Sequence, residues 1–275
     1  KKRLLARRKL INVAEKLLGY DIQPDALLVV TSGRYEYRNK GIDVFIDAMG
    51  RLERIKQLEK EVIAFITIPA WIDTARVDLQ ERLKHKKTPN TPLSHPHVTH
   101  WLRNMNNDSI LNQVRYLNME NRKEDKVKII FVPSYLNGND GIFDVPYYDL
   151  LIGMDVSVFP SYYEPWGYTP HESIAFSVPT ITTSLAGFGL WMRKMGDEQG
   201  MDDGAEVITR DDYNFIEVSE DICNRVFEMT TKSTEQERLL RQAALDRASL
   251  ADWAHFFVYY QEAYEQALSE AAERK

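Results

Sequence analysis

The sequence predicts an α/β protein with a doubly wound, mostly parallel sheet, and three observations lead there. Apolar runs of strand length recur, such as Ala26 to Thr31 and Val127 to Val132, without the alternation of a half-exposed strand. Strands buried on both faces read this way. Between them lie stretches of helical periodicity, one of which puts Ile42, Phe45, Ile46, Met49 and Leu52 on a single face. Most connections are short, and strand-helix alternation with short loops is the pattern of a parallel sheet covered by helices on both sides.

In chain order, a helix opens the sequence and stops at Gly19. Its basic residues Lys1, Lys2, Arg3, Arg7, Arg8 and Lys9, set among Leu4, Leu5, Leu10 and Ile11, read as the solvated face of an amphipathic helix. The first strand leaves through Ser32-Gly33-Arg34 into the helix of Ile42 to Leu52, and Val62 to Ile68 is the second strand. From about 71 to 125 the chain turns polar, carries Pro89, Pro92 and Pro96, and regains helical periodicity only near Ile110 to Leu117; it is expected to be a mostly helical excursion from the sheet. After Val127 to Val132, a helix is expected at about Tyr147 to Gly153 and a strand at Val156 to Phe159. Pro179 to Thr183 is the next strand, closed by a loop with Gly187-Phe188-Gly189, and Val207 to Thr209 the last. Helices follow from about Glu217, the closing ones at about 251–271, so residues 1–275 read as one domain.

The 275 residues, 44% hydrophobic and 28% charged, suffice for a sizeable core. A net charge of -6 argues against nucleic acid or an anionic membrane surface as partner. The lone cysteine, Cys223, excludes an internal disulfide framework and suits a reducing, cytoplasmic setting. No apolar run is long enough for a bilayer and no signal peptide opens the chain. It starts without methionine and inside a helical pattern, as a fragment of a longer protein would.

The chemistry centres on VSVFPSYYEPWGYTPHE, residues 156–172. A short strand stops at Pro160, a loop carries Glu164 and Gly167, and Thr169-Pro170-His171-Glu172 starts a helix with Thr169 as cap. Strand, tight loop and helix N-terminus present backbone N–H groups to an anion, here a phosphate. Glu164 and Glu172 can both face a pocket at the C-terminal edge of the sheet. Thr169-x-x-Glu172 is equally a capping box, which would engage that carboxylate on a backbone N–H. Arg34 and Lys40, bracketed by Gly33 and Gly41 after the first strand, bring two cations to the same edge and could neutralise a diphosphate. His95, His97 and His100 lack a Cys or carboxylate at ligand spacing, and no Asp-x-Asp pair, P-loop or G-x-S-x-G motif is present. No metal and no cofactor is expected.

With these residues set out, the chain resembles the C-terminal, nucleotide-sugar-binding half of a glycogen synthase of the fungal and animal type, a retaining glucosyltransferase of two Rossmann-like domains in the GT-B arrangement. GRYEYRNKG at 33–41, VKIIFVPSYL at 127–136, VPYYDLL at 145–151, FPSYYEPWGYTPHES at 159–173 and TTSLAGFGLWM at 182–192 carry the likeness, which covers most of the chain. It implies transfer of glucose from a nucleoside diphosphate glucose, UDP-glucose favoured over ADP-glucose, to the non-reducing end of an α-1,4-glucan with retention. Residue by residue, it makes Arg34 and Lys40 the diphosphate and leaving-group cations, sets Glu164 against the donor glucose and puts Glu172 on the ribose. Tyr147 would stack on uracil, Trp166 and Gly167 approach the sugar, and N–H groups around Tyr168 and Thr169 meet the phosphates, with the Gly187-Phe188-Gly189 loop lining the same cleft.

The departures from the family pattern carry expectations of their own. The N-terminal domain that would complete the cleft is missing, so the fragment alone is expected to be inactive. The family's dense arginine helix is reduced to Arg238, Arg241 and Arg247 among Glu235, Glu237 and Asp246, which speaks against activation by a sugar phosphate. The excursion is shorter than in animal forms, which suits a bacterial member and leaves a homo-oligomer open. A non-catalytic glucan-binding or scaffold protein is the rival function.

Overall fold

The computed structural model describes residues 1–196 and 200–274. Six strands form one parallel sheet: β1 (Leu27–Ser32), β2 (Val62–Thr67), β5 (Val127–Phe131), β6 (Val156–Val158), β7 (Thr180–Thr183) and β8 (Ala205–Ile208), in spatial order β5-β2-β1-β6-β7-β8. Every residue of β1 and β2 is buried, which is why these runs do not alternate in polarity. Their side chains alternate between two cores instead. Leu27 and Val29 with Val62, Ala64 and Ile66 face α2 (Ile42–Glu53), α4 (Ser109–Tyr116) and α8 (Phe215–Thr231). Leu28 and Val30 with Ile63 and Phe65 face α1 (Lys2–Leu18), α3 (Val77–Leu83) and α5 (Tyr147–Leu151). A third, smaller cluster joins β8 to α6 (Tyr168–Ala175), α7 (Gly187–Lys194) and α9 (Thr234–Ser249). The strands and most helices lie within a few residues of their expected positions, and Gly19 ends α1 in the left-handed conformation.

The strand order reverses between β1 and β6, which share only the pairs Val29↔Val156 and Val30↔Ser157. Beyond that short ladder the two strands part, and a crevice opens at their C-terminal ends, the place where such sheets bind ligands. Their N-terminal ends are locked. Asp155, buried just before β6, accepts from Leu28 N at 2.8 Å and from three guanidinium groups: Arg3 at 2.5 Å, Arg7 at 2.6 Å and Arg241 at 3.1 Å. Arg3 and Arg7 therefore depart from the solvated face expected of α1. They turn inward to the carboxylate while Leu4 and Leu5 point outward. Burial, and then Arg3, pull the Arg241 guanidinium down to about 10, still far above neutral pH.

The stretch from 71 to 125 leaves the sheet as expected, but it is less helical than its periodicity suggests. It holds α3, α4 and an antiparallel pair, β3 (Ile72–Ala75) and β4 (His100–Leu102), joined by irregular chain. Pro89, Pro92 and Pro96 fall in that irregular part, where each removes an N–H that a helix would need. His97 and His100 engage the backbone carbonyls of Met119 and Asp140, both at 2.8 Å through Nε2. After α9 the chain ends in α10 (Trp253–Glu273), none of whose residues is buried. No helix among the described residues is long and apolar enough to cross a membrane.

Removing the Asp155 carboxylate would leave three guanidinium groups facing one another in a half-buried pocket. Asp155→Ala in the full-length protein is expected to lower unfolding stability by about 3 to 5 kcal/mol, read from urea denaturation midpoints.

Candidate functional site

The loop after β1 is a compact turn. Lys40 N donates to Glu36 O at 2.8 Å, Gly41 N to Arg38 O at 3.0 Å, and Asn39 Nδ2 to the Glu36 carboxylate at 2.7 Å. Two tyrosines anchor it to the excursion: Tyr35 O–H donates to Asp108 and Tyr37 O–H to Gln113, both at 2.6 Å. On its other side the loop meets the strand end of β6. Tyr162 N donates to Asn39 O at 2.7 Å, and a Cβ on Gly41, whose φ is +64°, would lie 1.9 Å from Pro160 O. Only glycine allows this approach. Arg210, buried behind the junction and following β8, donates to the same Pro160 carbonyl and places its guanidinium over the Tyr162 ring at 5.4 Å.

The junction brings Lys40 onto Glu164 in a direct ion pair, with the two side chains 12% and 18% exposed. Burial first, and Arg34 second, pull the Lys40 ammonium below the usual lysine range, while Glu36 opposes them. Arg34 itself is 74% exposed and pairs with Glu36 at 3.0 Å. The two cations thus sit near enough for their charges to interact, but only Lys40 is enclosed. Glu164 is fixed through its backbone, whose N–H donates to Leu185 O at 3.2 Å and whose carbonyl accepts from Gly187 N at 3.0 Å.

Gly167, with φ +100°, is the N-cap of α6, in place of Thr169. Thr169 therefore lies inside the first turn and no side chain caps this helix, so the capping box does not form. The reason is conformational: the positive φ at Gly167 starts the helix two residues early, and the first-turn N–H groups of Tyr168 and Thr169 are left over by helix geometry. Glu172 is released from the capping role and accepts from Tyr148 O–H at 2.7 Å.

A cleft of ≈ 270 Å³ opens beside these groups, lined by Ser32, Gly33, Tyr147, Tyr148, Thr169 and Glu172 among others. The Lys40 side chain passes Gly33, where a Cβ would come within 3.9 Å of it, so the ion pair adjoins the cleft. Tyr147 shares a 2.7 Å hydrogen bond with Ser32, and burial pushes its phenol up. The Trp166 indole turns the other way, against Phe188, Trp191 and Phe256 with centroids 5.3 to 6.1 Å apart, and the exposed Tyr168 ring joins that side. The Gly187-Phe188-Gly189 segment is the first turn of α7, not a loop. A Cβ on Gly187 would lie 2.1 Å from Pro165 O, so this glycine packs helix against loop.

Sequence reasoning missed Tyr35, Tyr37, Tyr148 and Arg210, because their partners lie far away in the chain. For the tyrosines the local signal was their density in GRYEYRNKG and VPYYDLL; Arg210 lies in neither segment.

A family model described as Glycogen synthase matches residues 17–92 and 90–275. The chain is 32% identical over 309 residues to the glycogen [starch] synthase of Neurospora crassa, covering 92% of this chain and 43% of that protein. It is 30% identical over 301 residues to isoform 1 of Saccharomyces cerevisiae, covering 87% and 42%, and 28% identical over 308 residues to the human liver enzyme, covering 92% and 43%. The chain thus spans less than half the length of these curated relatives. Among solved structures, the α,α-trehalose 6-phosphate synthase of Burkholderia multivorans superimposes on all of this chain and 49% of its own, with a TM-score of 0.57 at 11% identity. WaaG, a glycosyltransferase involved in lipopolysaccharide biosynthesis, matches 90% of this chain and 47% of its own, with a TM-score of 0.50 at 12% identity. The shared feature is the Rossmann-like fold of GT-B glycosyltransferases.

The Gly41 junction is the feature most exposed to test by a single methyl group. Gly41→Ala should destabilise the full-length protein by more than about 1 kcal/mol, from the left-handed backbone alone, with the overlap on Pro160 adding to it in thermal or urea unfolding.

Proposed function

Because the chain belongs to the glycogen synthase family, we propose that it is the donor-binding part of a glycosyltransferase that moves glucose from a nucleoside diphosphate glucose, UDP-glucose in preference to ADP-glucose, to an α-1,4-glucan with retention. One observation carries this reading most directly: an enclosed cation, Lys40, lies against Glu164 at the crevice between β1 and β6, under a helix that starts at a bare glycine.

In the reaction, the bond from the anomeric carbon to the diphosphate oxygen breaks, an acceptor hydroxyl oxygen takes its place, and the hydroxyl proton passes to the departing diphosphate. Negative charge grows on the departing diphosphate. Preorganised donors at that point lower the barrier because they need no reorientation as the charge develops. Lys40 supplies the enclosed positive charge and Arg34 the mobile one from the rim. The N–H groups of Tyr168 and Thr169 add the helix terminus, about 0.3 to 1 kcal/mol if exposed and ~2 when partly buried. Glu164, beside Lys40, faces the donor glucose. Tyr147 and Glu172 take the nucleoside, the ring beneath the base and the carboxylate on the ribose. Trp166 acts through its loop backbone and by packing α6 on α7, and Gly167 leaves room above Glu164.

Arg238 pairs with Glu235, Arg241 with Asp155 and Arg247 with Asp203, so each arginine of α9 is already engaged. The aromatic face of α10, with Trp253, Phe257, Tyr260 and Tyr264 exposed, suits a brace against the remainder of the longer protein.

Assays of the full-length protein with labelled UDP-glucose and ADP-glucose test the reading, and calorimetric competition between the two diphosphates separates the donors. Lys40→Ala should lower kcat by about 10²- to 10³-fold with glucan binding unchanged, and Glu164→Gln should be nearly inactive while folded. Unaltered turnover in either would remove the assignment.

The depressed Lys40 adds a pH signature. Its charge is lost, as pH rises, earlier than that of an ordinary lysine with its value of 10.5. Diphosphate affinity should therefore fall on the alkaline side earlier than a free lysine predicts, and Lys40→Arg should move that fall to higher pH in a calorimetric series.

A further inference from the structure

We propose that Tyr148 is a positioning residue that presents the Glu172 carboxylate to the ribose hydroxyls of the donor, making the cleft selective for ribonucleoside diphosphates. This rests on the nucleotide reading of the cleft and concerns a side chain that the reading leaves unused.

Tyr148 lies on α5 and Glu172 on α6, so their contact couples two separate helices at the cleft wall. The Tyr148 O–H donates to Glu172 Oε1 at 2.7 Å. Its ring stacks on Phe176, at the end of α6, with centroids 5.1 Å apart and planes 5° from parallel. A stacked ring and a directed hydrogen bond restrict the phenol, and through it the carboxylate. Because Tyr148 is 42% exposed, the contact contributes through orientation more than through burial.

A carboxylate offers about four acceptor positions, and Tyr148 occupies one of them on Oε1. The others remain for the two neighbouring hydroxyls of a ribose. The hydrogen bond to Glu172 pushes the Tyr148 phenol up to about 12, so it stays a donor through the physiological range. A glutamate held in advance loses less rotamer freedom when the ligand arrives, which is the general advantage of preorganisation.

Calorimetry on the full-length protein with uridine diphosphate and 2′,3′-dideoxyuridine diphosphate tests this, with the adenosine pair as a second probe. The parent should prefer the ribose form by about tenfold. Tyr148→Phe keeps the stacked ring and removes the donor. It should weaken the ribose form by about three- to tenfold and leave the dideoxy form within about twofold, at an unchanged melting temperature. Glu172→Gln should erase most of the preference. Equal weakening of both forms by Tyr148→Phe would reveal a merely structural tyrosine and overturn the proposal, as would an unaltered preference. If the parent binds neither base's diphosphate, the nucleotide reading itself falls; if Glu172→Gln alone loses the preference, that reading stands and the role of Tyr148 does not.

Discussion

Asp155 sits where the whole arrangement is tied. A carboxylate buried at the edge of a sheet is tolerable only when cations and N–H donors surround it, and here they come from α1, β1 and α9 together. Segments near both ends of the chain converge on one anion, and the N-terminal ends of β1 and β6 are held in register. The opposite ends of the same two strands are then free to part. Closure at one edge and opening at the other are two consequences of one short, two-pair ladder.

At the open edge the charges compensate each other. Lys40 and Glu164 are mostly enclosed, and either alone would be costly by several kcal/mol, so each stabilises the other. Arg34, 74% exposed and paired with Glu36 at 3.0 Å, is the complementary case of a charge at the rim. The two cations after β1 thus differ in burial and in partner.

The excursion from 71 to 125 belongs to this charge arrangement although it lies outside the sheet. Asp108 and Gln113 of the α4 region hold the two tyrosines of the Lys40 loop, so a peripheral helix anchors the loop that carries the cation. Arg210 does the same from the far side by holding Pro160. Positioning is thus distributed over several elements of the chain, while the ion pair itself joins two short loops.

The amino-acid sequence by itself determined the sheet, its strands and most of its helices, because apolar periodicity reports burial directly and the run Ala26 to Thr31 is of the sort that a strand buried on both faces requires. It also singled out Lys40, Glu164 and Glu172, since strand ends, glycines and charges in short loops are local signals. Tertiary structure alone decided what those groups touch. Gly167 displaced Thr169 as the cap, Glu172 turned to Tyr148, the Trp166 indole went to an aromatic cluster, and Arg3 and Arg7 left the solvent for Asp155. Each outcome depends on a partner far away in the chain, and a side chain's partner is chosen by packing and charge compensation in three dimensions, which no local window of residues contains.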